Sequence, residues 1–219
     1  MKVGTDGVLL GAWTSVPKPG GRVLDVGTGT GLIALMIAQR TTGVDIDAID
    51  IDTSATVQAH ENFLNSPWKD RLSSIHSSFR SFAASHHHSY ELVVCNPPFF
   101  SNSLKTSSKE KNLAKHDDSL ALDELFTDAV ILLKKTALFS LILPAEKEPI
   151  ALRLASEHHM NCHRKTWVIP SPGKPPKRVL LEFFCSPGNC IENSLLIETG
   201  RRHEYSEEYK RLTGDFYLK

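Results

Sequence analysis

Two stretches of this 219-residue chain hold residue types whose order could do chemistry. The first is Leu24-Asp25-Val26-Gly27-Thr28-Gly29-Thr30-Gly31, an apolar run with an acid near its end, followed by alternating glycines. Glycines so spaced make a tight strand-to-helix turn, and without a Cβ they let a ligand approach the backbone. A helix-initiating turn with no ligand is the less frequent explanation of such glycines. Asp50 weighs against that bland reading: it ends the next apolar run about twenty residues on, where a carboxylate can accept both hydroxyls of a ribose. Asp25 at the edge of the turn would repel a pyrophosphate and favour a sulfonium or ammonium group. The second stretch is Val93-Val94-Cys95-Asn96-Pro97-Pro98-Phe99-Phe100. Prolines end a strand by removing amide donors and restricting the residue before them. The strand then gives way either to two phenylalanines folded back into the core, or to a rigid loop presenting one polar group and one aromatic face to a flat, polar substrate.

The elements that must position these residues alternate between strand-like and helix-like patterns, which predicts βαβ units and a mostly parallel sheet. Residues 5–13 predict a short helix with Thr5-Asp6 as capping residues. Strands are predicted at 22–26, 45–50, 72–77 and 90–95, with helices over 32–40 and 53–65 between them. Residues 101–119 are polar and carry Lys105, Lys109, Lys111 and Lys115, the pattern of a loop or lid. A helix over 120–134 precedes a strand at 137–143, and a further helix covers 145–160. The runs at 165–170 and 178–184 predict an antiparallel hairpin, and the tail predicts a closing helix. No linker marks a boundary, so the expectation is one domain over residues 1–219, a seven-stranded, mostly parallel α/β sheet with helices on both faces and one antiparallel strand.

With these motifs in place, the chain resembles class I S-adenosylmethionine-dependent methyltransferases. Residues Asp25 to Gly31 are similar to their first motif, Asp50 falls at their ribose-binding acid, and Asn96-Pro97-Pro98-Phe99 is similar to the (N/D)PP(Y/F) motif of amino-methyltransferases. More narrowly, "MKVGTDGVLLGAW", "NSPWKDRL", "NPPFF", "RVLLEF" and "YSEEYKRLTGDFYL" resemble the tRNA1(Val) (adenine-37-N6)-methyltransferase family over nearly the whole chain. The resemblance implies S-adenosylmethionine as cofactor, held by Asp25, Gly27, Gly29, Gly31 and Asp50, with Ser78 at the adenine amine and Lys2 and Thr5 near the methionyl end. It implies Asn96, Pro97 and Phe99 as catalytic residues, a tRNA anticodon stem-loop as partner, and a short family segment upstream of Met1 that this chain lacks. Adenine N6 is a poor nucleophile because its lone pair is delocalised into the ring. The Asn96 side-chain oxygen and the Pro97 carbonyl, accepting its two hydrogens, would free that lone pair, while Phe99 stacks on the flipped base and Phe100 packs in the core. The same loop chemistry suits a protein glutamine methyltransferase of the release-factor type, or enzymes acting on DNA adenine or rRNA guanine amines. A non-catalytic RNA-binding protein that kept the fold also stays open, favoured by a serine where an acid often sits at 78 and by the short N-terminus.

Composition narrows the partners. Lys and Arg number 25 against 25 Asp and Glu, so any nucleic acid must be held by local basic patches. The lysines of 105–115, with Arg201, Arg202 and Lys210, are the candidates. No apolar run reaches a membrane span and no leader pattern opens the chain, so the expectation is a cytoplasmic protein without a membrane partner, favoured as a monomer. Cys95, Cys162, Cys185 and Cys190 are too scattered for a disulfide framework and read as free thiols. His86–His88, His158-His159 and Cys162-His163 lack a second ligand pair at zinc spacing, so no metal is expected.

Overall fold

Residues 4–98 and 122–217 are described by the computed structural model of the protein. The first strand, β1 (Arg22–Val26), is buried almost throughout because it lies mid-sheet with helices on both faces. It pairs in parallel with β2 (Asp45–Asp50) on one side and β4 (Tyr90–Cys95) on the other. Beyond β2 lies β3 (Leu72–His76), and beyond β4 lies β5 (Leu133–Pro144). Connections run through α2 (Leu32–Arg40), α3 (Thr53–Leu64), α4 (Phe79–Ala83) and α5, described over 122–132. Val26 sits level with both Ile49 and Cys95, and Asp50 with His76, so four strands end together on one edge.

The sheet has eight strands in the order β3-β2-β1-β4-β5-β7-β6-β8, one more than the seven expected. As expected, one strand is antiparallel: β7 (Arg178–Phe184) runs against both β5 and β6 (Asn161–Ile169). The additional strand, β8 (Ile191–Leu196), pairs in parallel with β6 at the sheet edge. Its sequence, Ile-Glu-Asn-Ser-Leu-Leu, shows no alternation because four of its six residues face solvent. Side chains secure it instead: Glu192 accepts from Trp167 Nε1 at 2.6 Å and pairs with Lys165 Nζ at 3.1 Å. The strand after α5 also starts earlier than expected, at Leu133. The amides of His88 and Ser89 donate to the carbonyls of Ile131 and Leu132, ending the helix there, and Lys134 pairs with Glu91. Helix α6 is shorter than expected, Glu148–Glu157, preceded by a 3-10 turn at Ala145–Lys147 and followed by His159 at φ 58°.

Apolar layers cover both faces of the sheet. On one, α1 (Thr5–Trp13) and α2 bury Leu9, Leu10, Trp13, Ile33 and Ile37 against Val23 and Ile46. On the other, Phe126 of α5 meets Phe139 and Phe183 edge-on, each at 5.3 Å between ring centroids. The last helix, α7 (Glu207–Thr213), capped by Ser206, packs on α1.

One polar cluster ties α1 to the far half of the sheet. Glu182, fully buried on β7, accepts from Ser15 N at 2.8 Å, Ser15 Oγ at 3.0 Å and Ser140 Oγ at 3.1 Å. Arg164 lies 3.4 Å from that carboxylate, donates to the Trp13 carbonyl at 2.7 Å, and stacks its guanidinium 3.8 Å above the Trp13 ring. Trp13 Nε1 in turn donates to Thr166 Oγ1 at 3.0 Å. Removing one member of a buried ion pair strands the other, at about 3–5 kcal/mol. Arg164→Met should therefore lower unfolding free energy by about that amount, whereas exposed Arg153→Met, in a surface i,i+4 pair, should cost under about 0.5 kcal/mol. Urea denaturation of both variants checks the difference.

Candidate active site

The candidate site lies at the level strand ends. After β1 the chain turns through Gly27 (φ 68°), Gly29 (φ 56°) and Gly31 (φ 81°), a left-handed alternation that other residues adopt only under strain. Backbone bonds fix this turn to β2, since Gly27 N and Thr28 N both donate to the Ile49 carbonyl, at 2.9 and 3.0 Å. Asp50 completes the tie: its Oδ2 accepts from Gly29 N at 2.9 Å and its Oδ1 from Asp52 N at 2.9 Å. Each carboxylate oxygen thus retains acceptor capacity after its bond to the chain.

These ends open onto a cavity of about 680 Å³, within the usual range for a small-molecule site. Its walls include Gly27, Thr28 and Gly29 of the turn, Asp50 and Ile51 after β2, Ser77 and Ser78 after β3, and Asn96 and Pro97 after β4. The structure therefore brings together the glycine turn, the β2 acid and the Asn-Pro-Pro loop. A Cβ built on Gly27 meets nothing within 4 Å, so a ligand has open space above that backbone.

Asp25, Gly31 and Thr5 do not line this cavity. Asp25 does not face the cavity but is fully buried behind the turn, where its Oδ2 accepts from Thr28 Oγ1 at 2.6 Å and Ala34 N at 3.2 Å. It holds the turn to the start of α2. Burial pushes its carboxyl up to about 6. Gly31 is also behind the cavity: a Cβ there would stand 2.4 Å from Phe63 Cε1, so this glycine lets α3 pack against the turn. Thr5 is exposed at the start of α1 and outside the cavity walls, which take Gly4, Asp6 and Gly7 instead. Ser78 lines the cavity but is the cap of α4: its Oγ donates to Ser81 Oγ at 2.8 Å and accepts from Ser81 N at 3.2 Å. Lys2, Phe99, Phe100 and the lysines of 105–115 lie outside the described residues.

Among the cavity residues not anticipated, Ile51, Asp6 and Arg178 bear most on its chemistry. Ile51 is 73% exposed, an apolar side chain left uncovered beside Asp50. Asp6 and Arg178 also line the cavity, with Arg178 Nε donating to Asp6 Oδ2 at 2.8 Å. Ile51 had a local signal, being an aliphatic residue between two acids at a strand end. The Asp6–Arg178 pair had none, since only the fold brings positions 172 apart into contact. Among the described residues no group of three or more His, Cys, Asp or Glu is placed to hold a metal. No helix of the described residues is long and apolar enough to cross a membrane.

A mostly parallel sheet with a glycine turn, an acid and an Asn-Pro-Pro loop at its strand ends is the arrangement of a class I methyltransferase. The chain's fold matches a predicted O-methyltransferase of Agrobacterium tumefaciens with a TM-score of 0.76 at 15% identity, over 96% of both chains. The family model of the methyltransferase small domain matches residues 7–135. Two relatives bear the name tRNA1(Val) (adenine(37)-N6)-methyltransferase: one from Flavobacterium psychrophilum, 46% identical over the whole chain and 93% of its own length, and one from Bacteroides thetaiotaomicron, 44% identical over the whole chain and 91% of its length. The chain belongs to the tRNA1(Val) (adenine(37)-N6)-methyltransferase family.

The buried Asp25 generates a prediction about pH. Unfolded, this carboxyl titrates near its ordinary value of about 3.9. Folded, it titrates at about 6. Below both values it is protonated in either state and costs nothing. As pH rises from about 4 to 6, only the unfolded chain releases the proton, so stability falls, by up to about 3 kcal/mol once pH exceeds 6. Asp25→Asn lacks this titration. Its stability relative to the parent should rise by roughly that amount between pH 4 and pH 7, as read from urea midpoints across the range.

Proposed function

We propose that this protein transfers a methyl group from S-adenosylmethionine to N6 of the adenine beside a tRNA anticodon, adenine 37 of a valine tRNA. The observation that carries the reading is the meeting of Asp50 and the Asn96-Pro97-Pro98 loop on one cavity, in a chain whose full length matches tRNA adenine-N6 methyltransferases.

The cavity suits this cofactor. Asp50 is held by two backbone amides, so its remaining lone pairs are oriented before a ribose arrives. Ile51 offers an uncovered apolar surface to a purine, and the backbone at Gly27 leaves room for a chain running past it. When bound, S-adenosylmethionine supplies an electrophilic methyl on a positively charged sulfur. The protein's own task lies with the amine. Asn96 follows the last residue of β4, and the prolines after it restrict the backbone, which limits how far its amide can wander. Its side-chain oxygen accepts one N6 hydrogen and the Pro97 carbonyl the other, which draws nitrogen towards tetrahedral geometry and frees its lone pair for attack. Phe99 stacks on the base. Catalysis is then positioning and oriented dipoles, with no covalent intermediate on the protein.

Two measurements test this. Asp50→Ala should weaken S-adenosylhomocysteine binding by about 1.5–3 kcal/mol, the scale of hydrogen bonds to a charged group. Isothermal titration reads it directly, and NAD should give no comparable heat with the parent protein. Asn96→Ala should lower the single-turnover rate of methyl transfer to unmodified tRNA by about 10²–10³, with KM for RNA little changed, because the lost interaction strengthens only in the transition state. Full activity in Asn96→Ala contradicts the amine mechanism, and absence of methyl transfer to any tRNA adenine by the parent contradicts the substrate.

A further inference from the structure

The hairpin between β6 and β7 is longer than a hairpin needs. Two residues suffice to reverse a chain between antiparallel strands. Here eight intervene, Pro170-Ser171-Pro172-Gly173-Lys174-Pro175-Pro176-Lys177, and four of them are prolines. Backbone bonds shape the tip: Lys177 N donates to the Val168 carbonyl at 3.0 Å and Lys174 N to the Ser171 carbonyl at 3.2 Å. Prolines and these bonds limit the conformations of the tip, so presenting its side chains to a partner costs little further entropy.

The tip also stands on the working edge of the sheet. Arg178, which opens β7, sits opposite Pro144 at the end of β5, and its side chain forms the cavity wall with Asp6. On the tip's other side, Ile197 N and Glu198 N donate to the carbonyls of Ile169 and Pro170, which brings the turn carrying Arg201 and Arg202 alongside. The chain thus leads from the cavity wall at Arg178 through Lys177 and Lys174 of the tip, and the turn carrying Arg202 is bonded to the base of the same hairpin. The acids nearby are largely engaged: Asp6 with Arg178, Glu204 with Arg201, and Glu198 with the amide of His203, while Glu146 stands at the end of β5. Lys174, Lys177 and Arg202 are exposed and have no acidic partner among the described residues. In a chain whose cations and anions number 25 each, such a cluster is not a by-product of general basicity.

We propose that the β6–β7 tip, with the neighbouring turn at Arg202, is a docking surface for the phosphate backbone of the RNA whose base enters the cavity. This rests on the reading that tRNA is the substrate. Spaced lysines on a stiff tip fit consecutive phosphates as point charges, fixing register and leaving base recognition to the cavity.

The test compares the parent, Lys174→Ala/Lys177→Ala and Lys174→Arg/Lys177→Arg, using fluorescence anisotropy with unmodified tRNA across a salt series. The double alanine variant should bind more weakly, and its slope of log K against log salt should shrink by about 1.4–1.8, at 0.7–0.9 per phosphate contact. The double arginine variant should keep the parent's slope, and S-adenosylhomocysteine affinity should be the same in all three. A parent slope retained by the alanine variant overturns the surface, as does a slope lost equally by the arginine variant or a loss of cofactor binding. Methyl transfer by the parent separates the two claims: an active parent with an unaltered alanine variant removes this surface alone, and a parent that neither binds nor methylates tRNA removes both.

Discussion

The site depends on the reversal of strand order between β1 and β4. From β1 the chain builds outward through β2 and β3, then returns to place β4 on β1's other side. The connections leaving β1 and β4 therefore diverge, and a crevice opens at the strand ends between them. Parallel register sets its geometry, because Val26, Ile49 and Cys95 are level, and the residues just beyond them face one space. An acid, a glycine turn and an amide loop from distant stretches become one wall, and the left-handed shape is confined to the glycine turn. The hydrogen bond from Gly29 N to Asp50 then couples the turn to the acid, so neither can shift alone.

The site is stabilised from behind as well as within. Asp25 is a carboxyl that burial drives towards the protonated form, yet it secures the turn through Thr28 and the first turn of α2 through Ala34. Holding it costs folding energy, and the aromatic and aliphatic layers on both faces of the sheet offset that cost. Glu182 and Arg164 play a comparable part further out. They anchor the end of α1, whose beginning supplies Gly4, Asp6 and Gly7 to the cavity.

The features legible in sequence were local. The glycine turn, Asp50 and Asn96-Pro97-Pro98 each sit at a junction where periodicity changes, and junctions of parallel strands share an edge. Spacing could not tell which glycine lines the cavity: Gly27 does, while Gly31 packs against Phe63. Nor could it place Asp25 behind the turn, since an acid at a strand end points forward or inward according to the strand's pleat. The edge strand β8 escaped notice because charge and exposure erased its alternation, and the start of β5 because Leu133 and Lys134 fit a helix as well as a strand. The pair Asp6–Arg178 needed the completed sheet.

The proposed methylation of an adenine amine in tRNA can be read in living cells. Mass spectrometry of nucleosides from purified valine tRNA, taken from cells with and without the gene, reads it without assumptions about mechanism. N6-methyladenosine beside the anticodon should disappear on deletion, and return with the intact gene but not with one encoding Asn96→Ala. Unchanged N6-methyladenosine in the deletion strain would contradict the assignment.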